Sequence, residues 1–418
     1  MRVHIGEKIK YFRTKSKITQ SKLAEGIISE SYLSKIETGK IAPPREIVLL
    51  LCQKLKINPD ATEIDHLQTL CHTWFEHLFY GMKEKATDSY NKIIQNIDNI
   101  ANTSLITLVE LHKLRYFILI QNRKEANKQY EYLQQLNLEG KEIYYWFKFS
   151  GYYYFDQLFY NKSLNLFQEA TIYIRDVTKR ETYDLFYMIA LNASKLRKSY
   201  LSLENATNAL TYYQNNYNLK RCAECHILLG IAYQRINELN KSIDSYQLAA
   251  KIANDIDDDN IMAISKQNIG KVYSIRGATE DAIYYYLDSF KARRNFPITK
   301  KIIPVSSLMK EYYNVGDTFK AERWLKKGIE LCKNLDPQDS IYVYEFEVYK
   351  YLIIGEGSSF EELINKKVLP FLSERNLFYE TFQYLKILAN YYYKQRKYKL
   401  AANYYELANS TLNKIHTE

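Results

Sequence analysis

The sequence predicts an all-α protein: a small N-terminal helix-turn-helix domain, then a right-handed superhelix of about eight or nine stacked helical pairs. Three observations point there. Residues 19–39 have the spacing of two short helices joined by a turn. From there on, a pattern of small and aromatic residues recurs about every forty positions. Only 7 prolines and 13 glycines punctuate 418 residues, too few for a turn-rich β architecture.

Ile5, Ile9 and Phe12 fall at helical spacing and predict a first helix over 5–15. Thr19 can cap a second helix with its hydroxyl. Gln20 then stands at that helix's N-terminus, where amide and helix dipole both suit a DNA phosphate. Leu23, Ile27, Leu33 and Ile36 supply the buried side of helices two and three. Ser29 is a good cap for the third helix, and Gly39 ends it. Pro43-Pro44 opens a fourth helix, Arg45 to Leu55, whose Ile47, Leu50, Leu51 and Leu55 close the core; Asn58-Pro59 marks a break. In this motif the third helix enters the major groove and presents its N-terminal residues to base edges. Ser29, Glu30, Ser31, Tyr32 and Lys35 are therefore the DNA-facing candidates beside Gln20. The helix lacks a guanine-reading arginine, so part of the recognition is expected to read DNA shape.

Charge agrees with that placement. The chain carries a net +10, and residues 1–60 hold nine Lys and three Arg against five Glu and one Asp, which is +6 of it. A basic excess in one small domain suits phosphate contact.

The repeat is clearest at Gly230, Tyr233, Ser242, Tyr246 and Ala249, and again at Gly270, Tyr273, Ala282, Tyr286 and Ser289. Gly151, Tyr154, Ser163, Phe167 and Ala170 match it, as do Ala389, Tyr392, Ala401, Tyr405 and Ala408. Weaker copies centre on Ala86, Ala126, Ala206 and Ala321, and a degenerate one is expected over 341–376. Small residues let two helices approach, and aromatics fill the gap to the next pair. One pair cannot bury its apolar face alone, so the units stack. Most of the 40 tyrosines are explained by such packing positions. The predicted organisation is a DNA-binding domain over 1–60, a linker over 61–70 and a repeat domain over 71–418.

Residues 5–59 resemble the DNA-binding domain of the Xre/Cro/C1 repressor family: Thr19-Gln20 begins helix two, and Leu33-Ser34-Lys35-Ile36-Glu37-x-Gly39 fills helix three. The turn between them is one residue shorter than in many members, as in the Rgg and PlcR-like branch, and the resemblance implies a structural role for Glu37. The long repeats resemble tetratricopeptide (TPR) units. The two parts in this order resemble the Rap–NprR–PlcR–PrgX group of Gram-positive peptide-pheromone regulators over essentially the whole chain, with a layout closest to its NprR members. The resemblance implies a cytoplasmic homodimer that binds a double-stranded DNA operator and, in the repeat groove, a short signalling peptide.

That groove is lined by the first helix of each repeat. Asn and Gln amides satisfy the unpaired N–H and C=O groups of an extended peptide, and Lys or Arg its carboxylates. Helical counting places Lys148, Tyr152, Lys195, Gln234, Gln267, Lys271, Lys310, Tyr313, Asn390 and Tyr393 on or near this surface. Asn192 and Asn268 resemble family positions that clamp the peptide backbone.

No catalytic constellation, metal site or cofactor is expected. The sequence has no Gly-rich phosphate loop, no His-Glu-x-x-His and no Gly-x-Ser-x-Gly. Cys222-Ala-Glu-Cys225-His226 matches a haem-attachment pattern but sits inside a repeat helix, where packing cysteines are the simpler reading. His66, His72 and His77 want a fourth ligand for zinc. The acidic run Asp255 to Asn260 lacks the Gly and distal Glu of a calcium loop. No segment is apolar enough to span a membrane, and the N-terminus lacks the apolar core of a signal peptide. Two alternatives remain open: a repeat protein that sequesters or dephosphorylates a response regulator, and a constitutive repressor of a mobile element.

Overall fold

The computed structural model describes residues 5–57, 64–97, 103–333, 335–337, 340–355 and 360–417. Asn58 and Pro59 lie outside them.

Four helices form the N-terminal domain where the spacing predicts them: α1 (Ile5–Lys15), α2 (Gln20–Ala24), α3 (Glu30–Glu37) and α4 (Arg45–Leu55). Thr19 caps α2 by accepting from the Lys22 N–H, and Ser29 caps α3 by accepting from the Tyr32 N–H, both at 3.2 Å. Gly39, at φ +70°, carries the chain out of α3, and the N–H of Lys40 returns to the Lys35 carbonyl. This is the left-handed exit for which glycine is suited. Ile9, Leu23, Leu33, Ile36 and Leu51 are the centre of the domain's core. Gly6 is required by packing: a Cβ there would fall 1.8 Å from the Ile36 carbonyl oxygen.

Nine helical hairpins follow among the described residues. They are α5–α6 (Ile64–Phe79, Lys83–Gln95), α7–α8 (Thr103–Leu119, Arg123–Leu133), α9–α10 (Lys141–Asp156, Tyr160–Ala170) and α11–α12 (Lys179–Lys195, Ser199–Asn215). Next come α13–α14 (Leu219–Arg235, Leu239–Asp255), α15–α16 (Asp259–Ile275, Thr279–Ala292) and α17–α18 (Ile298–Asn314, Thr318–Cys332). The eighth pairs α19 (Ile341–Ile354) with a broken partner: α20 (Phe360–Leu363), a π-helical turn over Ile364–Val368 and α21 (Leu369–Glu374). The ninth is α22–α23 (Phe378–Lys394, Tyr398–Thr417). Each hairpin turns through one left-handed residue: Gly81, Gln121, Leu158, Arg197, Asn237, Gly277, Gly316, Gly355 and Arg396. This recurrence is the backbone counterpart of the forty-residue pattern.

The small-and-aromatic pattern is a packing rule in space. A Cβ on Gly230 would fall 2.5 Å from the Tyr246 ring, and one on Gly270 would fall 2.9 Å from the Tyr286 ring. Ser242 donates to the Gly230 carbonyl at 2.8 Å and Ser202 to the Ala190 carbonyl at 2.9 Å, tying the two helices of a pair together. The degenerate unit expected over 341–376 coincides with the broken partner of α19.

The chain divides into two compact units, Met1–Gln157 with Glu169–Val177, and Leu158–Gln168 with Thr178–Glu418. The first therefore joins the helix-turn-helix to the first repeats. Helix α5 already begins at Ile64, inside the stretch 61–70 expected to be a linker. Within this unit the Tyr11 hydroxyl donates to Glu110 on α7 at 2.6 Å. Burial alone would raise the Glu110 carboxyl, but Lys113, Tyr11 and Gln129 together hold it below the usual value.

Candidate DNA-reading helix and ligand-binding face

The orientation of α3 is set by one buried carboxylate. Glu37, 2% exposed, accepts from Arg13 through both oxygens at 2.6 and 2.9 Å, and from the Gln20 amide nitrogen at 2.6 Å. One residue thus ties α1, α2 and α3 together. Gln20, expected as a free phosphate contact, is held in part by this network, so its reach toward a phosphate is restricted. Ser29, Glu30, Ser31 and Lys35 are exposed along the start and outer side of α3. Tyr32 is half-buried and packs on the domain core, which fixes its ring. Ser29 commits its hydroxyl to the cap.

The expected peptide-facing residues divide between the units. Lys148 and Tyr152 belong to the first and the other ten to the second. Two of the placements need correction. Asn192 is fully buried with its amide 2.5 Å from the Ser163 hydroxyl, so it joins α11 to α10 and offers nothing to a ligand. Lys148 is 2% exposed, with its amine over the Phe79 and Tyr144 rings. Helical counting places both near the groove, but a position beside the exposed face points into the neighbouring helix once the pair closes. Tyr152 is half-buried, with the Arg115 guanidinium 4.6 Å from its ring centre.

In the second unit, Lys195, Lys271, Asn390 and Tyr393 are exposed, while Gln234, Asn268, Lys310 and Tyr313 are half-buried. Gln234 lies 3.5 Å from the Tyr246 hydroxyl, and Asn390 accepts from Tyr405. Lys310 is paired with Glu345. Gln267 is buried, its nitrogen donating to Ser307 at 2.7 Å, while its buried side-chain oxygen has no hydrogen-bond donor. Such an acceptor suits a peptide N–H.

Counting also misses two cations. Arg197, in the turn after α11, lies over the Tyr379 ring at 3.5 Å, so the fourth hairpin meets the ninth. Stacked repeats ordinarily touch only their neighbours. A pocket at this junction is lined by Lys195, Arg197, Tyr379 and Glu380. Arg235, last residue of α13, donates to the Ser194 carbonyl beside it. The lysine of α15 feels the whole group. Lys271 touches solvent, yet the surrounding protein displaces bulk water and, with Arg235, Arg197 and Lys310 nearby, lowers its amine to about 8. Burial, with Arg197 nearby, lowers the Arg235 guanidinium to about 10. No sequence period marks Arg197 or Arg235, since the fold alone brings them together.

Cys222 and Cys225 are buried, and burial raises both thiols. His77 is hydrogen-bonded to Ser89 at 2.9 Å, and His72 meets the Phe75 ring edge-on; the His66 side chain lies outside the described residues. Asp258 caps α15 through the Ile261 N–H at 2.9 Å. Among the described residues no helix is long and apolar enough to cross a membrane.

The helix-turn-helix family matches residues 9–61. The transcriptional activator NprA of Geobacillus stearothermophilus is 33% identical over 396 residues, 92% of this chain and 98% of that protein. A Rap protein complexed with competence and sporulation factor has a similar fold, with TM-score 0.74 at 18% identity over 85% of this chain and 99% of that one. NprR in complex with its cognate peptide NprX gives TM-score 0.69 at 16% identity, over 84% of this chain and 99% of that one. The all-α expectation is the fold of these structures, a helical-repeat superhelix of TPR type. With its N-terminal reader and a relative matched along nearly its whole length, the chain belongs to the Rap–NprR–PlcR–PrgX family and is a transcription regulator of that family.

Proposed function

We propose that this regulator binds operator DNA through α3 and is switched by a short peptide held on the inner face of its repeats. The observation that carries the DNA half is the Glu37 network, which fixes α3 with Ser29, Glu30 and Ser31 exposed at its start and Lys35 on its outer side. The family's peptide complex supports the other half, together with the unsatisfied Gln267 oxygen. Two protomers of a homodimer read a two-part operator, as helix-turn-helix dimers do. The peptide acts through unequal affinity for the DNA-competent and incompetent arrangements. The protein works in the cytoplasm by binding and carries no catalytic step of its own. Its likeness to an activator supports that reading.

Selection of fragmented genomic DNA by the purified protein tests this. Wild-type protein should retain a few specific sites, and the Ser31→Ala/Tyr32→Ala variant should lose them while remaining folded. Retention of no specific site by wild-type protein would remove the DNA-binding half. It would favour instead a repeat protein that acts on a response regulator.

A further inference from the structure

Several cations in this molecule are neutralised by a carboxylate. Arg13 has Glu37, Arg221 has Asp184 and Glu224, and Lys310 has Glu345. In the second unit four cations are not: the exposed Lys195 at the end of α11 and Lys271 on α15, and the half-buried Arg197 in the turn after α11 and Arg235 at the end of α13. None forms an ion pair with a carboxylate among the described residues. Arg197 is held over Tyr379 and Arg235 on the Ser194 carbonyl, so both guanidiniums are fixed rather than free to spread into water. Glu380 is the acidic residue beside the group, and it bonds to none of them at ion-pair distance.

Holding like charges together costs free energy. A carboxylate that entered would relieve this repulsion and accept several charge-assisted hydrogen bonds at once. Gln267, one turn before Lys271 on α15, adds its unused acceptor for a backbone N–H. An inorganic anion would not use that acceptor, whereas a peptide uses both.

We propose that Lys195, Arg197, Arg235 and Lys271 form a carboxylate-binding subsite, and that the peptide this protein takes is acidic there. The carboxylate is an Asp or Glu side chain or the peptide's own C-terminus. This rests on the peptide reading above and adds the chemistry of its ligand.

The test incubates the full-length protein with two random heptapeptide pools, one with free and one with amidated C-termini, and sequences what it retains. Enrichment of Asp or Glu in both pools is expected if a side chain occupies the subsite. Retention from the free pool alone is expected if the C-terminus does. For a retained peptide, Lys271→Gln with Arg197→Gln should weaken binding by about tenfold to a hundredfold, the loss of one or two charge-assisted contacts. The Asp→Asn or amidated form of that peptide should be nearly insensitive to the variants. Lys195→Gln, at an exposed position, is the second variant and should weaken binding in the same direction. Peptides retained equally from both pools without acidic bias, or affinities unmoved by all three substitutions, would overturn the subsite and leave peptide binding standing. Retention of nothing from either pool would overturn peptide binding itself, and the subsite with it.

Discussion

The DNA-reading helix and the cationic face are both polar clusters, yet they are built in opposite ways. Around α3, three polar residues within 25 positions of sequence are satisfied by each other: Arg13 and Gln20 both end on Glu37. On the repeats, Lys195, Arg197, Arg235 and Lys271 come from three hairpins, with Tyr379 from another, and among the described residues none is ion-paired to a carboxylate. The first cluster is complete and holds a surface rigid for a partner that varies by base edge. The second, on the proposal above, is completed by a carboxylate of the peptide. A satisfied network specifies structure; an unsatisfied one, held in place by its neighbours, specifies a ligand.

That contrast can be broken most sharply at Glu37. Replacing it with Ala leaves a buried Arg13 guanidinium without its partner, which should cost about 3–5 kcal/mol. Hydrogen exchange should then show α1 to α3 losing protection while α11 to α18 keep theirs. Gly230→Ala tests the packing rule of the repeats, because its Cβ would fall 2.5 Å from the Tyr246 ring. Overpacking of this kind costs about 1–3 kcal/mol, and the loss of protection should centre on α13 and α14. Ser29→Ala removes a helix cap for about 1 kcal/mol. It should weaken α3 and, with it, operator affinity, measured by equilibrium DNA binding at one fixed salt concentration.

A smaller effect sharpens the cationic half. The surrounding protein and the cations Arg235, Arg197 and Lys310 lower the Lys271 amine from its ordinary 10.5 to about 8. Its depressed value means that the unfolded chain binds more protons across that interval. Stability therefore rises as pH climbs from about 8 toward 10.5 through this residue. Lys271→Gln should flatten that rise in a pH series of urea unfolding curves, relative to wild-type protein.

The same contrast explains what could be read from the chain. Caps, core and turn of the helix-turn-helix depend on residues a few positions apart, and Thr19, Ser29, Leu33 and Gly39 all do what their spacing implies. The repeat was legible because Gly230 with Tyr246 and Gly270 with Tyr286 obey one packing rule. Glu37 was legible as structural, but its claim on Gln20 was not, since spacing does not show which of several acceptors an amide meets. Asn192 and Lys148 were misplaced because helical counting resolves a face but not its edge, and both lie where a face turns into a helix contact. Arg197 escaped because its partner Tyr379 lies in another hairpin, joined to it by the path of the superhelix and by no local period.

The central claim is that one chain couples a peptide on its repeats to DNA on α3. The direct measurement is the affinity of full-length protein for a selected operator at fixed salt, with and without a saturating retained peptide. The account predicts a change of about 5- to 150-fold, the usual range of allosteric coupling, in either direction. It also predicts that the operator changes peptide affinity by the same factor. Operator affinity that is identical with the peptide bound and unbound would contradict it.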